Sequence, residues 1–270
     1  MTDYPYPVSK LLTLGEPDAA TADKWPNYLE LGLTDEHIPD LILLATDQGL
    51  SWAESETAGI WGPVHAWRAL GQLKAAAAAE PLLSLFDDLD EDEYFDEWTV
   101  EELPEVYAML GPATIPALSA YLADPAHGVY PRDAAASSLA AITKTHPEAR
   151  VECIAHITAA LEGFNENDPT LNAYLISSLL HLDAKESLPV IERAFEANRV
   201  DDFVVNWADV QRALSLTGYR DDLARESESS PPPRVIEDRT GSRSQAQARA
   251  KAKAKRKQAE KSRKKNRKRK

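Results

Sequence analysis

Cysteine occurs once in the 270 residues, at Cys153, so no intramolecular disulfide can form. Glycine is sparse, and β-branched residues never run in alternation, which removes the usual strand signal. No stretch approaches the roughly 18–20 consecutive apolar residues of a membrane span. The opening Met1-Thr2-Asp3-Tyr4-Pro5 has neither a basic n-region nor an apolar h-region, so no secretory signal is expected and the cytoplasm is the expected compartment. There is no G-x-G-x-x-G, no Walker loop and no G-x-S-x-G. The histidines (His37, His65, His127, His146, His156, His181) form no H-x-x-x-H or H-E-x-x-H pair. These absences predict no metal, no cofactor and no enzyme of the common motif-bearing kinds.

Basic charge is scarce where the chain is apolar and dense where it is not. Of the 30 Lys/Arg, 15 follow residue 240, with one of the 44 acids, so that end carries +14 and the preceding 240 residues −28. An acidic body repels nucleic acid, and a basic tail attracts it.

The apolar pattern is helical nearly throughout. Thr34 with Asp35 and Glu36 opens a first helix through Ile38, Leu41, Ile42 and Ala45. A second runs through Trp61, Val64, Leu70 and Leu73. Thr99 and Glu102 have capping-box spacing for a third. Gly111-Pro112 ends that helix and starts the next. Pro131, Pro147 and Asp168-Pro169 open three more, Asp183 breaks the last of these before Leu188 to Phe195, and Asn206 to Leu216 forms a final one. About nine helices with short connections predict antiparallel neighbours.

The pattern repeats. Ala69 through Phe86 lies over Ser178 through Phe195 without a gap: Leu70 meets Leu179, Leu73 meets Leu182, Ala75 meets Ala184, and Phe86 meets Phe195. Taking Leu73, Leu110, Ile142 and Leu182 as equivalent gives steps of 37, 32 and 40 residues. Such units bury their apolar faces by stacking. Trp67, Leu70 and Gly71 also satisfy the opening of a tetratricopeptide signature, but that match does not recur at its period.

Arg68-Ala69-Leu70-Gly71-Gln72-Leu73 with Glu80-Pro81-Leu82-Leu83, and Leu110-Gly111-Pro112 with Ile115-Pro116-Ala117-Leu118, resemble the HEAT-like repeat first described in phycobilisome bilin lyases. The layout from Pro7-Val8-Ser9 to Asp209 resembles a bacterial family of HEAT-like proteins. The resemblance implies an all-α superhelix, a HEAT-like solenoid, over residues 1–222. Some members of that family end in a cysteine-rich metal motif. This chain has no cysteine there, so that site is not carried over.

Residues 223–270 read as a disordered linker and tail. Glu226 to Arg234 is polar and proline-rich. Like charges at i,i+4, as at Lys251/Lys255, oppose helix. The tail residues Lys255, Arg256, Lys257, Lys261, Arg263, Lys264, Lys265, Arg267, Lys268, Arg269 and Lys270 are expected to bind polyanions, RNA or the ribosome first. No aromatic interleaves them, so no specific DNA reading is expected. A second candidate is the acidic run Asp87, Asp88, Asp90, Glu91, Asp92 and Glu93, as a docking loop. It fails as a calcium loop, because counting from Asp88 the sixth residue is Glu93 and the twelfth Thr99. His65 and His181 read as inter-repeat hydrogen-bonding residues and Cys153 as a packed thiol. The tryptophans read as anchors between repeats, with Trp52 and Trp98 near loops and candidates for exposure. The function expected is a non-enzymatic scaffold holding a protein partner. Two alternatives are a bilin-lyase-like enzyme acting on a tetrapyrrole, and a tail that binds the acidic body and regulates partner access.

Overall fold

A computed structural model describes residues 3–18, 21–51, 57–90 and 97–214. These belong to one compact unit, Met1–Tyr219. Among the described residues every regular element is helical: α1 (Ile38–Ala45), α2 (Gln48–Ser51), α3 (Gly62–Gln72), α4 (Ala79–Leu83), α5 (Glu97–Leu110), α6 (Ile115–Ala123), α7 (Val129–Thr145), α8 (Arg150–Glu162), α9 (Pro169–His181), α10 (Leu188–Glu196) and α11 (Trp207–Ala213). The two beyond the expected nine are α2 and α4. Both are too short to show a helical period, and α4 emerges from an alanine run without apolar contrast.

The helices stack in two layers. In one, α3, α5, α7, α9 and α11 each pack on the next; in the other, α4, α6, α8 and α10 do the same. Across the layers α7 meets α6 and α8, and α8 meets α9. The apolar residues predicted to face inward do so: Leu70, Leu118, Leu139, Ile157, Leu161, Leu179 and Ile191 are all buried. This is an all-α stack of helix pairs, each burying its apolar stripe on its neighbours.

The turns between paired helices carry the repeat. Ala75 N–H bonds Leu70 O at 3.1 Å and Ala184 N–H bonds Leu179 O at 3.0 Å, each spanning five residues. Between them Lys74 and Asp183 have φ of 54° and 48°. Both are Schellman endings with a left-handed residue after the helix. Gly111 takes that place after α5 at φ 87° and ψ −171°, a region essentially restricted to glycine. A short 3-10 turn then leads into each even helix: Ala76–Ala78, Pro112–Thr114, Pro147–Ala149 and Lys185–Ser187. Their starts lie 36, 35 and 38 residues apart. This corrects the uneven steps expected from Ile142. The α7 turn lacks the left-handed residue, passing instead through His146 at φ −130°, so Ile142 is not the counterpart of Leu73.

Two local expectations also change. Thr99 lies inside α5, and Glu102 turns away from the helix start to pair with Arg68. Trp98 is half-buried on α5 and meets Trp61 edge-on at 5.6 Å. Trp52 lies outside the described residues. By contrast Asp168 caps α9 as expected, its carboxylate accepting from Thr170 N–H at 2.8 Å. No single described helix is long and apolar enough to cross a membrane. The stretch Trp98–Leu110 with Pro112–Ala123 reaches that length only as a pair bent by 111°.

Candidate partner-binding face

Residues three and four apart share one side of a helix. On α3 that rule aligns His65, Arg68 and Gln72, and all three reach the chain's own N-terminal segment. The His65 Nε2 lies 2.9 Å from Gly15 O. Arg68 Nη2 donates to Asp18 O at 3.1 Å. Gln72 donates to Pro26 O at 2.7 Å and accepts from Tyr28 N–H at 2.8 Å. These are side-chain bonds to main-chain groups, the means by which a helical surface holds an extended polypeptide. Because a carbonyl faces Nε2, that nitrogen carries the proton, and Nδ1 accepts from the Tyr28 hydroxyl at 2.7 Å.

Arg68 is the centre of this contact. It is 1% exposed. Its Nε donates to Glu102 Oε2 at 2.8 Å, its Nη2 donates to Glu102 Oε1, and Trp67 Nε1 donates to the same carboxylate at 3.3 Å. The rings of Trp25 and Trp98 flank the guanidinium at 4.8 and 5.7 Å. Burial works against the charged form, but the Glu102 hydrogen bonds and charge more than offset it and hold the guanidinium above its ordinary range. Burial holds His65 low, with the Gly15 carbonyl opposing, and pushes the Tyr28 phenol up. His65 thus bonds the N-terminal segment rather than a neighbouring repeat. His181 bonds Ser177 O in its own helix at 2.7 Å. Neither makes the inter-repeat bond expected of it.

The same side of the odd layer continues past this covered region. Counting back from the left-handed turn residues, the α3 positions 65, 68 and 72 correspond to Glu102, Glu105 and Met109 on α5 and to Tyr174, Ser177 and His181 on α9. On α7 the outward row is Tyr130, Asp133, Ser137 and Ala140. From Glu105 through Ser177 these residues are half-buried apart from Glu102, which is buried under Arg68, and Tyr130, which is 41% exposed. The outward side of the even layer differs: Val151, Glu152, Ala155, Ala159 and Glu162 on α8 and Glu192, Arg193 and Glu196 on α10 are exposed. One face is sheltered and the other stands in solvent.

Where α3 carries Arg68, α9 carries the smaller Ser177. A cleft of about 360 Å³ opens there between α9 and α11, lined by Ser177, Leu180, His181, Val204, Asp209 and Arg212 among others. On the α7 side, Tyr130 and Tyr174 have ring centroids 6.2 Å apart. Burial pushes the Asp133 carboxyl up to about 7 from an ordinary 3.8, with a Ser137 hydrogen bond opposing. Perturbed carboxyls of this kind gather at functional sites.

The Asp133 shift has a stability consequence. An acid whose folded value is raised binds more protons folded than unfolded between the two values, so it costs stability as pH rises from about 4 to about 7. Asp133→Asn should stabilise the protein by about 1–2 kcal/mol at pH 8, after discounting for partial solvent access. The two proteins should converge near pH 4. Urea unfolding at the two pH values reads this; a variant no more stable than wild type at pH 8 contradicts it.

The acidic run behaves differently. The Asp87 carboxylate accepts from the Tyr121 hydroxyl and lies 3.2 Å from His127 Nδ1. The Tyr121 and His127 rings stack at 3.6 Å. Asp87 is exposed, Asp88 half-buried, and the 3-10 turn ends at Asp90. Glu91, Asp92 and Glu93 lie outside the described residues, as do all the tail residues from Lys255 to Lys270. Cys153 is buried and its thiol is pushed up to about 11 by burial, then by Glu152, so the thiolate is disfavoured. Among the described residues no three His, Cys, Asp or Glu side chains gather as metal ligands.

A family model described as a protein of unknown function (DUF1186) matches residues 59–238, 180 of the 270. The chain belongs to the DUF1186 family. No curated protein and no solved structure matches it. The DUF1186 region opens within the 3-10 turn Ala58–Trp61 ahead of α3. The stripe His65, Arg68, Gln72 therefore lies inside the DUF1186 region, and the segment 15–28 that covers it lies before it. The missed feature here is that segment. Its only sequence signal is a pair of ring-bearing residues, Trp25 and Tyr28, with no local partner.

Proposed function

We propose that the protein is a non-enzymatic adaptor of HEAT-like helix pairs that holds an extended segment of a partner protein across its sheltered odd-helix face. The observation that carries this reading is the chain's own residues 15–28, held on α3 by bonds from His65, Arg68 and Gln72 to main-chain groups. Helix pairs recurring at 36, 35 and 38 residues support the HEAT-like assignment. The basic tail adds a second, nonspecific contact to RNA, the ribosome or another polyanion, and linking two weak contacts raises their joint affinity. The lyase reading draws on repeat resemblance alone.

A photo-cross-linker placed at Ser177 in the full-length protein tests the adaptor reading, with one at Ala155 on the opposite face as control. The expected result is adducts at 177 that map to one continuous stretch of a partner, and none at 155. Equal labelling from both positions, or none from 177, overturns it. For the tail, RNA affinity should fall by about 10³-fold or more between about 50 and 200 mM salt. Equal RNA binding by full-length and tail-deleted protein overturns that part.

A further inference from the structure

The covered stripe shows how this chain accommodates a guanidinium. Arg68 lies between two aromatic rings with a carboxylate against it. Ring faces and a carboxylate in a site poor in water favour a planar cation.

The uncovered stripe holds two of these three parts. Tyr130 and Tyr174 stand 6.2 Å apart with their planes at 52°. The charges of Asp133 and Asp201 both bear on Tyr174, after burial as the larger influence on its phenol. Asp201 is fixed in place, accepting from Thr170 Oγ1 at 3.1 Å and from Phe203 N–H at 3.0 Å. The third part is absent: Ser177 occupies the position of Arg68, and among the described residues no lysine or arginine forms an ion pair with Asp133 or Asp201. Two carboxylates beside two phenols, with no neighbouring cation to pair them, leave a negative potential that a bound cation relieves.

Resting on the adaptor reading, the geometry points to an arginine-recognition site between α7 and α9, where the guanidinium of a partner's extended segment lies against the Tyr130 and Tyr174 rings and pairs with Asp133 and Asp201. Arginine fits better than lysine because its planar head stacks on rings and forks onto carboxylates. The partner's main chain then crosses α9 at Ser177, beside the cleft toward α11.

The test uses full-length protein with ¹³C-labelled tyrosine rings, titrated with acetyl-Ala-Arg-Ala-amide and with its citrulline counterpart, which keeps the shape and loses the charge. Saturable shifts at Tyr130 and Tyr174 are expected with the arginine peptide, and binding at least about tenfold weaker with citrulline. D133N, which should fold at least as well as wild type, should weaken the arginine peptide by a similar factor. Tyr121 on α6 should not respond. Equal affinity for the two peptides, unchanged affinity in D133N and Y174A, or no saturable shift overturns the site. If the peptide fails while cross-links from position 177 still map to one continuous partner segment, the arginine site falls and the adaptor reading stands. If those cross-links are missing, the adaptor reading falls by its own test.

Discussion

Replacing Glu102 by glutamine should lower the folding free energy by about 3–5 kcal/mol, a large part of the ~5–15 kcal/mol that holds a domain together. Glu102 is 6% exposed and faces an arginine that is almost wholly buried. The amide keeps the volume but removes the charge, and its NH₂ faces a donor. The guanidinium is then left uncompensated with Trp25 and Trp98 around it. The N-terminal segment should loosen as well, since Arg68 also donates to Asp18 O. Urea unfolding and chymotryptic cleavage near Trp25 and Tyr28 check both effects. The double variant R68M/E102L should recover most of the stability, because breaking a buried pair costs more than replacing it with apolar side chains. An E102Q protein that melts with wild type would mean that water reaches the pair.

Asn172→Ala should cost about 2–4 kcal/mol, since each buried polar group left unmatched costs ~1–3 kcal/mol. Asn172 is fully buried on α9. Its Nδ2 donates to Phe164 O at 2.9 Å and Arg199 O at 2.7 Å, while its Oδ1 accepts from Asn167 Nδ2 at 3.0 Å. Asn167 in turn accepts from Arg132 at 3.4 Å and, through its carbonyl, from Arg199 at 2.6 Å. One side chain therefore ties the loop after α8 to the loop after α10. Asn172→Leu restores volume but not the lost partners, so it should remain nearly as damaging. Thermal melts of the two variants separate packing from hydrogen bonding: recovery to wild-type stability in N172L would assign the loss to volume instead.

The helices and their pairing were legible because they rest on local signals. Gly111-Pro112, Asp168-Pro169 and the gapless match of Leu70 with Leu179 are each read within a few residues, and the structure places them as expected. What could not be read depends on contacts far apart in the chain. Thr99 and Glu102 have the spacing of a capping box, yet Glu102 answers to Arg68, 34 residues away. His65 sits in a helix pattern like any other, and only folding brings Gly15, 50 residues earlier, to its ring. The Tyr130–Asp133–Tyr174 grouping was invisible for the same reason. Its members fall on two helices, and nothing in either helix marks them. The acidic run drew attention by density alone, although only its first residue enters a described side-chain cluster.

The cover on α3 gives the row of helices two unlike ends. Leu70 and Leu179 accept the same five-residue turn bond from Ala75 and Ala184, so their motifs are local twins. Opening the first requires lifting residues 15–28 away, whereas opening the second does not. Amide exchange at Ala75 should then lag behind that at Ala184, and the ratio of the two rates measures how tightly the chain grips its own beginning.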